Sequence, residues 1–515
     1  MVLRKKLPIG IQTIEKIFEE NFVYIDKTDL IHNLITQGQY YFLLRPRRFG
    51  KSLLVSTLKA IFSGKKELFQ DCKIYSMPFA WHPHPVIHLD FTQIVTNSGQ
   101  ELHDSLLRAI KEIAKNYNKF IECPSLKEGL RNLVMALASE GKVVVLVDEY
   151  DKPIVDRLAN VEVADANREI LKSVFETLKG LDTYLQFVFV TGVSKFAQVS
   201  LFSGFNNLKD ITLRPEYSVL LGYTEKEIVE CFPDYLQEVS REGYSIEQMR
   251  EWYNGYRFSK EKVSVYNPYS TLNFLDSKSL SGFWFQTGTP SFLIEIIRKT
   301  PQELIPLSGC YATERELLDS YNPKAMSLKA LMWQTGYLTL QNFHSDRNFF
   351  NLDFPNREVR EAFFDSLVQY FAQLDSGRTA FAARECMQYL KSGQIDLFFQ
   401  LINMFFAGIP YNLFQETNEA FYHAIFLTLL EAMGIQVHAE QKTSLGRIDL
   451  VVELDRQVYI FEFKLDHTAQ SALEQIVEKK YQEKYSKYGK QVVLIGASFS
   501  SHTRNISEFK YTHLT

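Results

Sequence analysis

The 515-residue sequence predicts an α/β protein of more than one domain, because a chain of this length is too long for a single hydrophobic core. Three observations give the arrangement. Residues 1–220 alternate apolar strand-like runs with amphipathic helical stretches, residues 221–405 are mainly helical, and residues 406–515 follow the order α, β, β, β, α, β. We therefore expect each of these three segments to form a domain.

The composition restricts the class of protein. Apolar residues make up 46 % of the chain and charged residues 23 %, which is typical of folded domains. The net charge of −4 argues against a protein that coats nucleic acid or an anionic membrane with its whole surface. Local basic patches are compatible with this charge.

The five cysteines are widely spaced and form no CxxC pair, which indicates a reducing compartment and excludes a zinc-ribbon pattern. The N-terminal stretch lacks the apolar core of a signal peptide. No uninterrupted apolar run reaches the roughly 18 residues that a membrane-spanning helix needs. We therefore expect a cytoplasmic protein without a membrane segment.

Four apolar runs in the first segment predict the strands of one sheet: YYFLL (40–44), PVIHLDF (85–91), KVVVLVDEY (142–150) and LQFVFVTG (185–192). Stretches with helical spacing, such as residues 99–117, lie between these runs. Strands that are apolar throughout and separated by helices indicate a parallel sheet that is covered on both faces.

The sequence RPRRFGKS (45–52) follows the first of these strands directly and leads into the helical stretch SLLVSTLKAIF. Gly50, Lys51 and Ser52 match the end of the phosphate-binding pattern GxxxxGK(S/T). In that pattern main-chain N–H groups surround the phosphates, the lysine reaches the β- and γ-phosphates, and the hydroxyl binds Mg²⁺. The position between strand and helix favours a site for ATP in which Ser52 is a metal ligand.

The loop departs from this pattern at its first position, where Arg45 replaces glycine. Such a turn can tolerate an arginine if its φ is negative, and the following Pro46 constrains Arg45 to an extended conformation. We expect Arg45, Arg47 and Arg48 to add positive charge beside the phosphates. Arg48 is therefore one of the candidate nucleotide-binding residues.

Two carboxylates end the third strand in VVVLVDEYD (143–151). Asp148, at the strand tip, is the candidate ligand of Mg²⁺, and Glu149 is the candidate general base. A strand end with merely solvated acids is the alternative, but the Gly-Lys-Ser sequence after the first strand favours an ATPase. The fourth strand ends in Thr191 and Ser194, and Thr191 is a candidate for sensing the γ-phosphate; a turn-forming role is its alternative.

Four stretches resemble the AAA-ATPase-like family of bacterial proteins: LPIGIQTIEKIFEENFVYIDKTDLI, FLLRPRRFGKSLLVSTL, VVLVDEYDKPI and FVTGVSKFAQVSLFSGFNNLKDITL. The resemblance covers most of residues 5–220 and implies a P-loop NTPase fold. It also implies that Arg45 is the form of the loop that this family uses. The family is often joined to a C-terminal PD-(D/E)xK nuclease domain, so the C-terminal segment becomes the test of the resemblance.

The middle segment contains one unit with a recognisable outline. MSLKALMWQTG (326–336) predicts a helix, YLTLQNF and NFFNLDF predict a hairpin around HSDR (344–347), and NREVREAFFDSLVQYF (356–371) predicts a returning helix. Helix, hairpin and helix are the outline of a winged-helix unit, which is either a DNA-binding element or a spacer. The would-be recognition helix has few lysines or arginines, which favours the spacer.

The C-terminal stretch GRIDLVVELDRQVYIFEFKLD (446–466) predicts two strands joined by a two-residue turn at 455–456. This register places Asp449 directly opposite Glu462, and Lys464 shares their face because side chains alternate along a strand. The opposite face is predicted to be the core face, with Ile448, Leu450, Val452, Leu454, Tyr459, Phe461, Phe463 and Leu465.

Asp449 and Glu462 are candidate catalytic residues and metal ligands, because two carboxylates in this arrangement can hold Mg²⁺, with Mn²⁺ as a substitute. Lys464 is a candidate catalytic residue that positions or deprotonates the attacking water, or stabilises negative charge in the transition state. A solvated cross-strand ladder of salt bridges is the alternative. The residues alone leave both interpretations open.

Asp followed by ExK on the next strand is the pattern of PD-(D/E)xK nucleases, and residues 410–512 resemble the domain that accompanies the AAA-ATPase-like family. Ile448 stands where the motif name has proline, a frequent variation. The resemblance implies Glu419 as a further metal ligand and Gln475 as a further catalytic residue. As alternatives, Glu419 is a first-turn carboxylate favoured by the helix dipole and Gln475 a surface residue. We interpret His423 as a packed helix residue.

Taken together, these inferences predict a cytoplasmic ATP-dependent enzyme that uses ATP and Mg²⁺, with Mn²⁺ as an alternative ion at the C-terminal site. Its expected partner is nucleic acid, DNA rather than RNA, and a homo-oligomer is compatible with the sequence. ATP would gate the cleavage of phosphodiesters. The alternative is a nucleotide-controlled regulatory switch whose nuclease-like domain only binds nucleic acid or a partner.

Overall fold

The computed structural model describes residues 4–158, 160–195, 207–284, 293, 297, 310–318, 327–346, 348–372, 376–409, 418–435, 437–442, 446–485 and 490–514. Two compact units are present: the first comprises residues 1–284 and 311–356, and the second comprises residues 285–310 and 357–515. The predicted middle segment is therefore shared between the two units. Residues 196–206 and 486–489, which belong to stretches quoted above, lie outside the described residues.

The strands up to residue 353 are β1 (Tyr40–Leu44), β2 (Val86–Asp90), β3 (Val143–Asp148), β4 (Leu185–Gly192), β5 (Lys209–Asp210), β6 (Cys310–Thr313), β7 (Thr339–His344) and β8 (Phe349–Asp353). The α-helices over this range are α1 (Ile14–Glu19), α2 (Thr28–Gln37), α3 (Lys51–Phe62), α4 (Gly99–Asn116), α5 (Leu126–Leu137), α6 (Lys152–Val155), α7 (Val161–Lys179), α8 (Glu225–Cys231), α9 (Pro233–Arg241), α10 (Ile246–Tyr253), α11 (Pro268–Ser277), α12 (Glu314–Leu318) and α13 (Leu328–Thr335). Short 3₁₀ turns are Lys66–Phe69, Lys73–Ser76, Ala138–Glu140, Asp182–Tyr184 and Pro215–Tyr217.

Strands β1 to β5 form one parallel sheet in the order β2-β3-β4-β1-β5. Its first four strands are the four that the sequence predicts, so the predicted parallel sheet is confirmed. The fifth strand was not predicted, because two residues are too few to show a pattern. Since β4 lies between β1 and β3, the carboxyl ends of these three strands lie side by side, where open α/β sheets bind their ligands.

The helical part of the first unit follows local capping signals. The side chains of Thr224 and Ser245 each accept a hydrogen bond from the main chain three residues on, and the side chain at that third residue bonds back to the cap. These two capping boxes start α8 and α10, at the places where the sequence predicts helices.

The predicted helix and hairpin of the winged-helix outline are present as α13, β7 and β8. Strand β6, which was not predicted, adds to the hairpin and gives a three-stranded sheet in the order β6-β8-β7. The predicted returning helix (Arg357–Ala372) also forms, but it belongs to the second unit, whereas the hairpin belongs to the first.

The second unit contains helices α14 (Arg357–Ala372), α15 (Ser376–Ser392), α16 (Ile395–Gly408), α17 (Glu419–Ala432) and α18 (Ala469–Glu478), and a 3₁₀ turn at Tyr481–Lys484. Its strands are β9 (Val437–Lys442), β10 (Arg447–Glu453), β11 (Gln457–Leu465), β12 (Gln491–Ser500) and β13 (Asn505–Leu514). Within the described residues, no helix combines the length and the apolar character that crossing a membrane requires.

The sheet of the second unit has the order β13-β12-β11-β10-β9. The pair β11 and β12 is parallel and the other pairs are antiparallel. The predicted succession from α17 to β12 is confirmed, and β13 is an additional strand after it. The chain is thus an α/β protein of several parts, as the sequence predicts.

Both faces of this sheet are covered by apolar side chains. On one face Leu450 and Phe461 lie in a core with residues of α16 and α17. On the other face Val451 and Ile460 pack with Ile476 of α18. The expectation of one core face and one polar face was therefore wrong over most of the hairpin, because α18 covers the second face.

Ile448 also differs from its expected position. The sequence placed Ile448 on the face of Leu450, but it packs in the cluster that contains Val451 and Ile460. The side chains of Tyr481 and Tyr485, which follow α18, belong to the same cluster. Regular alternation along β10 therefore does not extend to its beginning.

Helix α18 approaches β12 closely at Gly496. A Cβ atom at this position would lie 2.3 Å from the carbonyl oxygen of Ala469 and 2.5 Å from the amide nitrogen of Leu473. Main-chain atoms of a helix cannot move aside as the end of a flexible side chain can, so only glycine permits this approach. Because Gly496 is paired with Glu462 between β12 and β11, the approach brings α18 beside Glu462.

We expect Gly496→Ala to destabilise the second unit by about 1–3 kcal/mol, because the added methyl group forces α18 away from the sheet. Gly434→Ala is the control: no atom lies within 4 Å of the added Cβ, although its φ of +70°, unlike the φ of Gly496, is itself unfavourable for alanine. Thermal unfolding by calorimetry should show the larger loss for Gly496→Ala. Equal losses would contradict the close approach.

Candidate functional site

The first candidate site is formed by the 45–52 loop, which connects β1 to α3. Gly50 is the N-cap of α3 and has a φ of +90°, a left-handed conformation that glycine adopts without strain. Arg48 also has a positive φ, of +67°. The first N–H groups of α3 have no partners within the helix, so the loop and the helix start offer donors to an anion.

Lys51 begins α3 and is almost fully buried, with 5 % of its surface exposed. Its Nζ donates to the carbonyl oxygen of Pro46 at 3.1 Å, within the loop itself. Burial lowers the pKa of Lys51, while the negative charges of Glu149 and Asp148 oppose this shift. The ammonium group therefore lies between the loop and the acids at the end of β3.

Asp148 is the last residue of β3 and only 2 % exposed. Burial raises its pKa to about 6, and the nearby Ser52 hydroxyl opposes this shift. Its Oδ1 atom is buried and has no hydrogen-bond partner. A buried carboxylate oxygen without a partner, next to a serine hydroxyl, suits a hard cation such as Mg²⁺.

Glu149 follows directly and has a φ of +51°. A positive φ in a residue other than glycine costs about 1 kcal/mol or more. Such strain clusters at functional sites, where the surrounding structure fixes an otherwise unfavourable conformation. The conformation of Glu149 is thus compatible with its predicted role beside the phosphates.

The polar residues at the end of β4 bond within the protein. The Thr191 hydroxyl donates to the carbonyl oxygen of Leu43 at 2.9 Å, and the side chain is fully buried. The Ser194 hydroxyl donates to the carboxylate of Asp151 at 2.6 Å. In this geometry Thr191 stabilises the sheet between β4 and β1 rather than reaching outward as a phosphate sensor.

The arginines of the loop have different surroundings. Arg47 lies 4.0 Å from the carboxylate of Asp156, and the Arg48 guanidinium lies over the ring of Tyr269 at 4.7 Å. Arg45, in contrast, is buried and donates to main-chain carbonyl groups. The expectation that Arg45 adds charge beside the phosphates was therefore wrong.

The second candidate site lies at the end of the β10–β11 hairpin. The turn is the predicted two-residue turn, since the Leu454 N–H donates to the Gln457 carbonyl group, and Leu450 is paired with Phe461. The predicted register is thus confirmed. Asp449 directly precedes Leu450 on β10, on the side away from the turn. Its Oδ2 accepts a hydrogen bond from the Phe463 N–H at 2.9 Å.

Glu462 is the central residue of this second site. It is 2 % exposed, its Oε1 accepts a hydrogen bond from Gln475, and its Oε2 is buried without a partner. Burial, and next the negative charge of Asp449, raise the pKa of Glu462. Burial also raises the pKa of Asp449. Ionisation of one carboxylate makes ionisation of the other less favourable, and a cation bound by both would offset this repulsion.

Lys464 and Glu419 complete the predicted set. The Nζ of Lys464 lies 3.7 Å from Glu462 Oε1, and Lys464 is more exposed than Glu462. Glu419 lies in the first turn of α17, and its Oε2 accepts a hydrogen bond from the Leu465 N–H at 3.1 Å. The negative charge of Glu419 also contributes to the raised pKa of Glu462, so the two carboxylates lie near each other.

The next feature is the number of carboxylates at the second site that could coordinate a metal ion. In the part of the chain that the structure describes, no group of three or more His, Cys, Asp or Glu side chains is arranged to hold a metal ion. Asp449 and Glu462 are the two candidate carboxylate ligands here, and Glu419 is bonded to the main chain nearby. Such a site leaves coordination positions for water or for substrate oxygens, which is typical of Mg²⁺.

Comparisons with known proteins identify the two domains in which these candidate sites lie. Residues 8–202 match the family model described as "Predicted AAA-ATPase", and residues 417–509 match the model of the "PD-(D/E)XK nuclease superfamily". A protein of Azotobacter chroococcum mcd 1, named "Uncharacterized protein in vnfD 5'region", is 35 % identical over 521 residues, which is 98 % of each chain. The chain belongs to the AAA-ATPase-like family. No solved structure matches it.

In this AAA-ATPase-like protein, the 45–52 loop and the acids at the end of β3 lie within the matched ATPase region. Asp449, Glu462 and Lys464 lie within the matched nuclease superfamily region. Domains of these two kinds generally use a nucleotide and a divalent metal. Asp148 and Glu462 each have one buried carboxylate oxygen without a hydrogen-bond partner, and they lie one in each matched region.

Two residues of this AAA-ATPase-like chain were missed by the sequence reasoning. The carboxylate of Asp151 accepts hydrogen bonds from the main chain of Val193 and Ser194, which fixes the end of β4 to the turn after β3. The Tyr481 hydroxyl lies near Gln475, which donates a hydrogen bond to Glu462. The third acid of VVVLVDEYD could have drawn attention to Asp151, whereas no local signal distinguishes Tyr481.

His423 lies where the packed-helix interpretation predicts. It is buried in α17, and its ring lies 5.0 Å from that of Phe463. Burial, with the positive charge of Arg447, lowers its pKa to about 4, so it is neutral at physiological pH. Its Nε2 has no hydrogen-bond partner.

We expect Asp151→Ala to destabilise the first unit by about 3 kcal/mol, because it leaves buried N–H and O–H donors of residues 193 and 194 without an acceptor. Asp156→Ala is the matched control, since Asp156 is partly exposed and its ion pairs contribute less than about 1 kcal/mol. Calorimetric unfolding of both variants measures the difference. Similar losses in the two variants would refute the role of Asp151.

Proposed function

We propose that this protein is an ATP-dependent nuclease. The first site binds and hydrolyses ATP with Mg²⁺, and the second site cleaves phosphodiester bonds of nucleic acid, DNA in preference to RNA, with Mg²⁺ or Mn²⁺. Binding or hydrolysis of ATP gates the cleavage. Family membership alone does not give the activities, the metal ions or the substrate, and the proposal adds them.

One observation carries this proposal, and it occurs at both sites. A carboxylate that is 2 % exposed, Asp148 in one site and Glu462 in the other, has an oxygen without a protein partner and lies near a lysine. Buried charged groups of this kind are unfavourable unless a ligand supplies the missing partner. A cation on the carboxylate and a phosphate group near the lysine would supply it.

The residues of the first site then have distinct roles. Main-chain N–H groups at Gly50 and the start of α3 bind the phosphates, and Lys51 exchanges its bond to Pro46 for one to a phosphate oxygen. Ser52 and Asp148 would hold a magnesium ion, which would supply positive charge beside the phosphates. Glu149 orients and deprotonates the attacking water.

The residues of the second site divide in a similar way. Asp449 and Glu462 would hold the divalent ion, with Glu419 as a third carboxylate. A bound ion would supply an activated water and would stabilise charge on the phosphate. Lys464, which is more exposed than Glu462, positions the water or stabilises the negative charge of the transition state. Gln475 holds Glu462 in place.

We expect Lys51→Ala to reduce ATP hydrolysis by roughly a hundredfold or more, because it removes a cation from the phosphates of the transition state. Glu149→Gln should abolish turnover while ATP still binds. A steady-state phosphate-release assay, with ATP binding by calorimetry, measures both effects.

Lys59→Ala is the matched control for this experiment, because Lys59 is an exposed lysine on the same helix. It should hydrolyse ATP at the wild-type rate. Wild-type protein that binds no ATP, or a Lys51→Ala variant with unchanged turnover, would overturn the ATPase assignment.

We expect Asp449→Asn and Lys464→Ala each to reduce cleavage of DNA by roughly a hundredfold or more while ATP turnover is kept. Plasmid, linear DNA and RNA are incubated with Mg²⁺ or Mn²⁺, with and without ATP. Lys391→Ala, which removes an exposed lysine from the same unit, is the control and should cleave normally.

Binding of Mn²⁺ separates this proposal from a regulatory switch that has the nuclease fold without its chemistry. Full-length protein without nucleotide is titrated with Mn²⁺ by calorimetry. A nuclease should show a bound ion that Asp449→Asn removes. If that substitution changes neither Mn²⁺ binding nor cleavage, the nuclease assignment must be abandoned.

A further inference from the structure

Arg45 occupies the position at which phosphate-binding loops usually have glycine, yet its side chain is only 1 % exposed. Its two terminal nitrogens donate to three carbonyl oxygens: Leu44 at 2.7 Å, Thr212 at 2.9 Å and Tyr217 at 3.0 Å. Two of these acceptors lie more than 160 residues further along the chain. The arginine therefore attaches the beginning of the loop to the segment that follows β5.

The guanidinium also lies over an aromatic ring. Its Cζ is 4.1 Å from the centre of the Phe258 ring, a distance at which a cation is attracted to the ring face. No ion pair among the described residues includes Arg45. Burial lowers its pKa to about 9, so the group is still charged at neutral pH.

A buried charge without an ion pair is unfavourable, although the negative charge of Asp210 offsets part of this cost. An apolar side chain would fill the same space at lower cost. The planar guanidinium, however, can direct several N–H donors to carbonyl groups on different chain segments at once. No apolar side chain can make these connections. The retained charge therefore indicates a role in fixing the loop.

Other residues of the loop are attached to the same part of the first unit. The ring of Phe49 packs edge-on against Tyr256 and Phe258, with centroids 4.7 and 5.5 Å apart. The Trp284 Nε1–H donates to the carbonyl oxygen of Arg47 at 3.2 Å. The loop is thus held at its first, third and fifth residues by chain segments that lie beyond β4.

We propose that Arg45 is a positioning residue, which holds the 45–52 loop in the shape that binds phosphate by connecting it to residues 212–217 and to Phe258. This inference rests on the proposed ATP binding and deepens it. The affinity of the site for nucleotide then depends on contacts outside the P-loop pattern. Arg45 therefore contributes to nucleotide binding, although it replaces the glycine of the usual pattern.

The test uses full-length protein and three substitutions. Arg45→Gly restores the common glycine of the pattern, Arg45→Lys keeps the charge but loses the planar set of donors, and Phe258→Leu leaves the loop sequence unchanged. Leu133→Ala is the control for stability, because Leu133 is buried in α5, which packs on α4 and α7. It should unfold at a lower temperature without affecting the loop.

Two measurements are made on each variant. Hydrogen exchange of peptides covering the loop, in nucleotide-free protein, reports its rigidity, and ATP binding with steady-state hydrolysis reports affinity and the split between KM and kcat. We expect Arg45→Gly to exchange faster in the loop and to bind ATP roughly tenfold to a hundredfold more weakly. Arg45→Lys and Phe258→Leu should show smaller effects in the same direction, and Leu133→Ala neither effect.

Arg45→Gly with unchanged loop exchange and unchanged or tighter ATP binding would overturn the proposal. So would Leu133→Ala with the same changes as Arg45→Gly, because the effect would then follow from lost stability alone. If wild-type protein binds no ATP, the proposed function fails, and loop exchange still decides whether Arg45 positions the loop.

Discussion

Both candidate sites depend on charged groups that the fold keeps out of water. Asp148 and Glu462 end or interrupt strands that are otherwise apolar, and the neighbouring strands and helices exclude solvent from them. An isolated buried carboxylate is unfavourable, so under the proposed function a bound cation would stabilise each of them. In the proposed function, the apolar sheets exclude water, so that water does not stabilise the carboxylate charge in place of a cation.

The sequence was informative wherever local rules decide the structure. The strands of the first sheet follow from apolar runs between helices. The register of the hairpin follows from its two-residue turn, and this register sets Asp449 opposite Glu462. The relation between Lys51 and Asp148 follows from the parallel sheet, which brings the ends of separate strands together. These features need no knowledge of distant contacts.

Features that depend on distant contacts could not be predicted. The direction of the Arg45 side chain depends on carbonyl groups at 212 and 217, and the hydroxyl of Thr191 is used by Leu43 of another strand. The covered face of the hairpin depends on how closely α18 can approach Gly496. Alternation along a strand assigns residues to faces, but it does not tell whether a helix covers a face.

The positive φ of Glu149 has a consequence for how this chain can change. Glycine at this position would relieve the backbone strain by about 1 kcal/mol, so selection for heat resistance alone would favour loss of the acid. Stability and the proposed chemistry therefore oppose each other at a single residue. A chain recovered from a search for thermostable variants should be examined at residue 149 before its activity is compared.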